Sequence, residues 1–315
     1  MQEVLTCSKS AIGSRLEHFT NSIRLSPPRL ARSNQLIFLC GANKSAGVVS
    51  ERRSNLKKFI ENNRNNQSNN TVIYAEGIFN ELKKFGSTKN ALDLEHTISE
   101  VADRVIIILE SESAFCELGA FSHEALRGKL IVINNSKFRE SESFINTGPI
   151  AALQEVKSPV LWYPMKQDGV CTLDGIGSIF HEINTSLAIK KTKKDRISMT
   201  ELSEFKAKKE SLYFLHDLIL LCGPISHEEI ILLLKKLFGD RDFKSIKNLL
   251  GILREAKLVS TKEIYNKKTA RKTWVYSPTN VNFYFEYQSQ GKIAELKAAF
   301  RTYHLKTNLE RFVRG

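Results

Sequence analysis

Four short, uninterrupted apolar runs constrain this chain more than any other feature of its 315 residues. They cover residues 36–40, 71–75, 105–109 and 130–133, and they are rich in β-branched and aromatic side chains. A strand with one wet face alternates apolar and polar positions, whereas a run apolar at nearly every position suits a strand buried on both faces. Segments with helical spacing lie between the runs, at residues 49–60, 78–85, 92–102 and 115–126. The alternation predicts an α/β fold, with a doubly wound, mainly parallel sheet and a ligand crevice outside the carboxyl ends of its strands. Prolines bound residues 159–164, which read as a last, edge strand, and residues 176–189 read as a closing helix. The polar, Asn-rich residues 62–70 read as an exposed loop.

Net charge divides the chain. Of a total of +13, residues 1–189 hold 21 Lys and Arg against 20 Asp and Glu, while residues 190–315 hold the other 26 against 14. A basic region beside a neutral one suggests a polyanion partner for the basic region only, the plainer alternative being charge that keeps a helical surface solvated. We divide the chain into an N-terminal arm (1–34), a sheet domain (35–189), a basic linker (190–210) and a second domain (211–315). No apolar run approaches the roughly 20 residues of a membrane helix. Residues 1–14 have no signal-peptide core, and the five cysteines are scattered, so a reducing cytoplasm is expected.

In the second domain residues 212–222 read as a core helix. Ser226 and Glu229 have the spacing of a capping box that starts a helix running to about Phe238. A third helix is expected at 243–256, then strands at 258–265 and 273–277, the order of a winged helix-turn-helix. Residues 293–313 read as a basic amphipathic helix. Phosphate contacts are expected from Lys244, Lys247 and Asn248 of the third helix and from Lys267, Lys268, Arg271 and Lys272 of the wing. Lysines at a hairpin tip hold the backbone rather than read bases, so DNA binding should be salt-sensitive and weakly sequence-specific. Trp274, Tyr276 and Phe283 read as packing rather than as base-stacking platforms.

Common catalytic motifs are missing from the sequence. The turn Gly41-Ala42-Asn43 and its continuation to Gly47 lack the phosphate-loop pattern, no GxGxxG follows the first run, and the histidines have no metal-ligand spacing with cysteines. Cys116 and His123 stand seven residues apart, about 10 Å along a helix, too far for a thiolate-imidazole pair. Carboxylates at strand ends remain: Glu76 after the second run, and Glu110, Glu112 and Glu117 after the third. Glu117 should lie near the start of a helix, where the helix dipole favours its charge and burial opposes it. Ionised, it is a candidate nucleophile. Glutamates in a first helical turn are also common for dipole reasons alone.

The string Glu112-Ser-Ala-Phe-Cys-Glu117-Leu-Gly-Ala, the start Leu36-Ile-Phe-Leu-Cys-Gly-Ala42 and the run Lys129-Leu-Ile-Val-Ile133 resemble the nucleoside 2-deoxyribosyltransferase family. With Ser143-Phe-Ile-Asn-Thr-Gly-Pro149, they resemble in particular its retron effector branch. The resemblance covers roughly residues 35–165. It implies that Glu117 is a glycosyl-accepting nucleophile, that NAD or a related nucleotide is the substrate, and that no cofactor or metal is needed. It also implies a toxin restrained by a reverse transcriptase with its multicopy single-stranded DNA (msDNA) and RNA, and sites often completed across subunits of an oligomer. Gly41, Ala42, Asn43, Glu76, Glu110, Glu112, Ser113 and Gly119 are candidate substrate contacts by position. Two other functions fit these residues: a DNA-binding regulator whose first domain senses a nucleotide without turning it over, and an adaptor whose role is assembly.

Overall fold

A computed structural model of the chain describes residues 1–7, 9–31, 34–62, 70–84, 90–188, 196–266, 271–288 and 290–312. Two compact units result, one of Asn34–Thr192 and one that joins Met1–Ser33 to Lys193–Gly315.

The first unit is built on five strands: β1 (Gln35–Cys40), β2 (Asn70–Ile73), β3 (Arg104–Ile108), β4 (Leu130–Asn135) and β5 (Val160–Tyr163). All neighbours pair in parallel, in the order β2-β1-β3-β4-β5. Every residue of β1 and β4 is buried, as strands covered on both faces require, while edge strand β5 is only partly covered. The main helices are α1 (Glu51–Asn62), α2 (Ala75–Lys84), α3 (Ala91–Val101), α4 (Glu112–Phe121) and α5 (Phe180–Leu187). Leu56 and Ile60 of α1 and Ile183 and Leu187 of α5 join Ile37, Leu39, Ile106, Ile108, Ile131 and Ile133 in one core. Each such buried side chain contributes about 1.5–3 kcal/mol. From β1 the chain turns one way to β2, and from β3 it turns the other way to β4, so the segments leaving β1 and β3 diverge. That divergence opens a crevice at their carboxyl ends.

The helix expected over residues 115–126 begins earlier and breaks. Ser111 caps α4 by accepting the Ala114 N–H at 3.3 Å, and the helix ends at Phe121 before a short one at Glu124–Arg127. Glu117 therefore lies in the second turn, beyond the strongest reach of the dipole. Of the polar loop at 62–70, residues 63–69 lie outside the described residues.

The second unit is mainly helical, with helices Ala11–Leu25, Met199–Glu204, Lys209–Cys222, His227–Phe238, Ile246–Glu255 and Gln290–Thr307. Val259–Asn266, Arg271–Pro278 and Ile225–Ser226 form a three-stranded antiparallel sheet in that order. The Ser226–Glu229 capping box is present, and Arg311 grips the Glu229 carboxylate with both terminal nitrogens at 2.7 and 2.8 Å. Two expectations change here. The N-terminal arm is part of this unit: Arg29–Leu30 pairs antiparallel with Phe285–Glu286, and five side chains of Ala11–Leu25 that line its apolar face, Ile12, Leu16, Phe19, Thr20 and Ile23, are buried. The expected basic linker contains a short helix, where Ser198 and Glu201 form a second capping box at the start of Met199–Glu204. Counted by unit, residues 34–192 hold 18 Lys and Arg against 18 Asp and Glu, so the other unit, with 29 against 16, carries the whole +13.

A candidate active site at the strand-order reversal

The crevice predicted by topology contains a cavity of about 450 Å³. Its walls come from the end of β1 (Leu39, Cys40) with the turn Gly41-Ala42-Asn43, from Arg53 of α1, Glu76 and Phe79 of α2, Leu94 and Glu95 of α3, and Ser111, Ser113 and Glu117 around the start of α4. Of the substrate contacts expected from sequence, Gly41, Ala42, Asn43, Glu76 and Ser113 come together here with Glu117. Glu110, Glu112 and Gly119 do not line the cavity. Glu112 and Gly119 are exposed, and a methyl group at Gly119 would meet nothing within 4 Å, so no close approach calls for glycine there.

Glu110 is the scaffold beneath the turn. Its side chain has no exposure, and its Oε1 accepts the Ala42 N–H at 3.0 Å and the Ser50 hydroxyl at 2.6 Å. Its Oε2 accepts from Arg52 Nη1 at 3.0 Å. Arg52 turns its remaining donors on Asp174, at 2.8 and 2.6 Å, and on the Lys166 carbonyl. Glu110 also explains Gly41: with φ at +151°, a Cβ there would sit 2.8 Å from Glu110 Oε1. The glycine lets the β1 turn close over the carboxylate.

Arg53 anchors the other side. Nη1 and Nη2 donate to Glu76 at 2.7 and 3.0 Å, Nη1 also donates to Asn43 Oδ1 at 3.0 Å, and Nη2 donates to the Leu39 carbonyl at 2.9 Å. Burial alone would raise Glu76, but the hydrogen bonds and charge of Arg53 outweigh it and hold the carboxyl below its ordinary value.

Among the described residues no cation pairs with Glu95 or Glu117 in this way. Burial pushes Glu117 up to about 8; the charge of Glu95 adds to the rise and Arg53 opposes it. Burial also raises Glu95 to about 7, with Glu76 adding to the rise. At Glu117 a hydrogen bond from the Cys40 thiol opposes the rise, but Oε2 is buried with no hydrogen-bond partner among the described residues, a costly state for a polar atom unless something else comes to occupy it. The cavity therefore sets three carboxylates against one guanidinium, and that guanidinium is committed to Glu76. Such a site can hold a neutral or cationic group near a carboxyl oxygen that has nothing else to bond.

Sequence reading missed Arg53 and Glu95. A signal existed for the first: Arg52 and Arg53 stand in the first turn of α1, where the dipole disfavours cations, so partners had to be near. Glu95 gave none, since it is one polar position in an amphipathic helix.

Elsewhere, Asn146 of the Ser143–Pro149 motif donates to the carbonyls of Phe138 and Ser141 at 2.8 and 2.7 Å and so ties up a loop away from the cavity lining. The helix expected to face DNA, Ile246–Glu255, buries Ile246 and residues 248–253; Asn248 is 2% exposed and faces inward, a correction to its expected role. Its place among leucines on a helix packed from both sides hides it. Lys247 is exposed, Lys244 pairs with Asp242 at 2.9 Å and Lys272 with Glu263 at 2.9 Å. Arg271 opens its strand opposite Asn266, and Lys267 and Lys268 lie outside the described residues. Among the described residues no helix is long and apolar enough to cross a membrane.

Fold and site together define an α/β protein with an acid-lined ligand cavity at the switch point of an open parallel sheet. Comparison with known proteins narrows the class. The family model of the STM3845 retron effector protein matches residues 50–261, two thirds of the chain and parts of both units. An Escherichia coli protein named "Retron Ec73 putative ribosyltransferase/DNA-binding protein" is 36% identical over 293 residues, 88% of this chain and 87% of that one. A second, "Retron Ec86 putative ribosyltransferase/DNA-binding protein", also from Escherichia coli, is 37% identical over 126 residues, 39% of this chain and 38% of its own. The chain belongs to the STM3845 retron effector family.

Proposed function

We propose that the chain is an antiphage retron toxin that cleaves the N-glycosidic bond of NAD or a related nucleotide through Glu117, and that reverse transcriptase and msDNA hold it inactive. The observation that carries this reading is the buried, unpartnered Oε2 of Glu117 in a cavity large enough for a ribose and a base. The names of the relatives, which include a ribosyltransferase role, support the reaction class.

The excess of carboxylates favours the nicotinamide riboside end of NAD at the bottom of the cavity, with the phosphates outside. A pyridinium beside Glu117 removes the penalty on its ionised form, because an opposite charge within a few ångströms lowers a carboxyl pKa. Ionised Oε2 then bonds to C1′ as the C1′–N bond breaks. The departing electron pair neutralises the pyridinium, and the ribose is held as an ester of Glu117. Water attacks C1′ in the second step, the Glu117 oxygen leaves as carboxylate, and Glu95 takes the water proton. Glu117→Gln protein should release no nicotinamide from NAD by chromatography. Binding without turnover by the wild type would favour instead a nucleotide-sensing regulator or adaptor.

For the basic unit we infer a winged helix-turn-helix that binds DNA, with the hairpin Val259–Asn266/Arg271–Pro278 as wing. The segregation of all the excess charge onto this unit supports it. Because Ile246–Glu255 is largely buried, contacts fall to Lys244 just before that helix, to the exposed Lys247 in its first turn and to the wing, rather than to a whole helix face lying in a groove.

A further inference from the structure

The basic unit has a cavity of its own, of about 500 Å³. One wall is the segment around Phe283, Phe285 and Tyr287, and the facing wall is the start of Gln290–Thr307, which brings Gln290 and Lys297. Sequence reading assigns Phe283 to packing, yet its ring is half-exposed at this cavity, while Tyr276, given the same assignment, is buried.

The aromatic wall is held from behind by one carboxylate. Asp217, buried in Lys209–Cys222, accepts the N–H groups of Tyr284 and Phe285 at 2.9 Å each and the Tyr287 hydroxyl at 3.1 Å. Tyr284 packs at a tilt of 33° against Tyr213 with centroids 4.2 Å apart, and Tyr287 meets Phe19 at 5.6 Å. Phe283 and Tyr287 are thereby presented edge to face, with centroids 5.7 Å apart and planes at 83°. Groups locked this way lose little further freedom when a ligand packs on them.

Charge at the cavity is positive. Glu286 is taken by Arg29 at 2.7 Å. Lys297 holds its ammonium 6.0 Å from the Phe283 centroid, and among the described residues no carboxylate pairs with it. Burial lowers its pKa and neighbouring Arg301 adds to the shift, so an anion that settled there would relieve both. The cavity thus combines the half-exposed face of Phe283 with the edge-on ring of Tyr287, a cation that no described carboxylate pairs with, and the amides of Asn282 and Gln290. A nucleotide matches that set: a base for the rings, edge groups for the amides and a phosphate for the ammonium. Paired bases are stacked on one another and cannot offer their faces, and a lone mononucleotide gives no reason for an excess of +13 on the surrounding unit.

We propose that this cavity takes an unpaired nucleotide of a single-stranded nucleic acid, with its base against Phe283 and Tyr287 and its phosphate on Lys297. The proposal rests on the reading of this unit as nucleic-acid-binding and adds to it a strand preference and a place.

Fluorescence anisotropy with a labelled oligodeoxythymidine and with a duplex of the same length tests it on the full chain. Phe283→Leu, which keeps an apolar filling, should weaken single-strand binding by about fivefold to about a hundredfold, the usual worth of one stacked base, and leave duplex binding unchanged. Lys297→Met should lower the salt slope for the single strand by about 0.7. Both variants should keep the melting temperature of the wild type to within a few degrees. Single-strand affinity and slope unchanged in both variants would overturn the proposal, as would equal losses for single strand and duplex. Displacement of the oligonucleotide by thymidine monophosphate at comparable concentrations would overturn it in favour of a free nucleotide. Failure of the wild type to bind either nucleic acid would instead sink the DNA-binding reading itself.

Discussion

Two neighbouring arginines, Arg52 and Arg53, organise two carboxylate clusters at the same end of one sheet, and the clusters differ in how fully their carboxyl oxygens are hydrogen-bonded; burial raises Glu110 as well, against the bonds it receives from Ser50, Arg52 and Ala42. Around Arg52 donors and acceptors match: Glu110 and Asp174 share its guanidinium, and Ser50, Tyr163 and the backbone of Ala42 and Lys166 satisfy the remaining oxygens. Around Arg53 they do not. Glu76 uses the guanidinium, and Glu95 and Glu117 are left at raised pKa values of about 7 and about 8. The same residue types therefore make a scaffold where each carboxyl oxygen of Glu110 and Asp174 has a donor and a reactive site where two carboxyl groups are held largely out of water without a guanidinium of their own.

The largest effect expected is at Glu117. Glu117→Gln should lower turnover of NAD by about a thousandfold or more, read as nicotinamide release. A variant with near-normal turnover would end the distinction between the clusters. Glu110→Ala should instead act on folding: removing one partner of a buried, hydrogen-bonded ion pair costs about 3–5 kcal/mol, measurable by urea denaturation. A cost under about 1 kcal/mol would show that the Arg52 cluster is not the scaffold described.

Two pH experiments sharpen the contrast. Glu95→Gln removes the like charge beside Glu117, so the acid limb of kcat/KM should move down by about one pH unit. An unmoved limb would uncouple the pair. The second concerns stability. Glu117 has a native pKa of about 8 against an ordinary 4.5, so the native state holds a proton that the unfolded chain releases. Stability is thus lost as pH rises between those values, and the full cost is present above the native pKa. Glu117→Gln should melt at the wild-type temperature near pH 4 and above it near pH 9, by an amount on the order of 2 kcal/mol. A stabilisation equal at both pH values would point to packing rather than charge. The smallest effect belongs to the exposed Lys272–Glu263 pair: Lys272→Ala should change stability by less than about 1 kcal/mol while reducing the salt slope of duplex binding by about 0.9.

Local pattern made much of this molecule legible. Runs such as residues 36–40 and 105–109 read as strands covered on both faces and fold as such, and their alternation with helices leads to the crevice that holds Glu117. The Ser226–Glu229 box starts its helix where the spacing says it should, because both partners lie within one turn. Long-range partners were not legible. Glu110 follows the same strand as Glu117, yet it meets Ser50 and Arg52 some sixty positions away and becomes scaffold. Asn248 has the polarity of a surface residue and is buried, and residues 1–31 look like a free arm until Arg29 and Leu30 meet Glu286 and Phe285.

The sequence by itself determined the strands, a crevice at their carboxyl ends and the presence of carboxylates there, since hydrophobic period and the alternation of strand with helix are local properties; the strand order that places the crevice between two of them came from the structure. Only the tertiary structure decided which carboxylate is satisfied and which is left with a raised pKa and one buried oxygen that has no partner among the described residues. That outcome depends on the positions of Arg52, Arg53 and Glu95, brought in from two helices by packing, and on the depth at which each oxygen is removed from water.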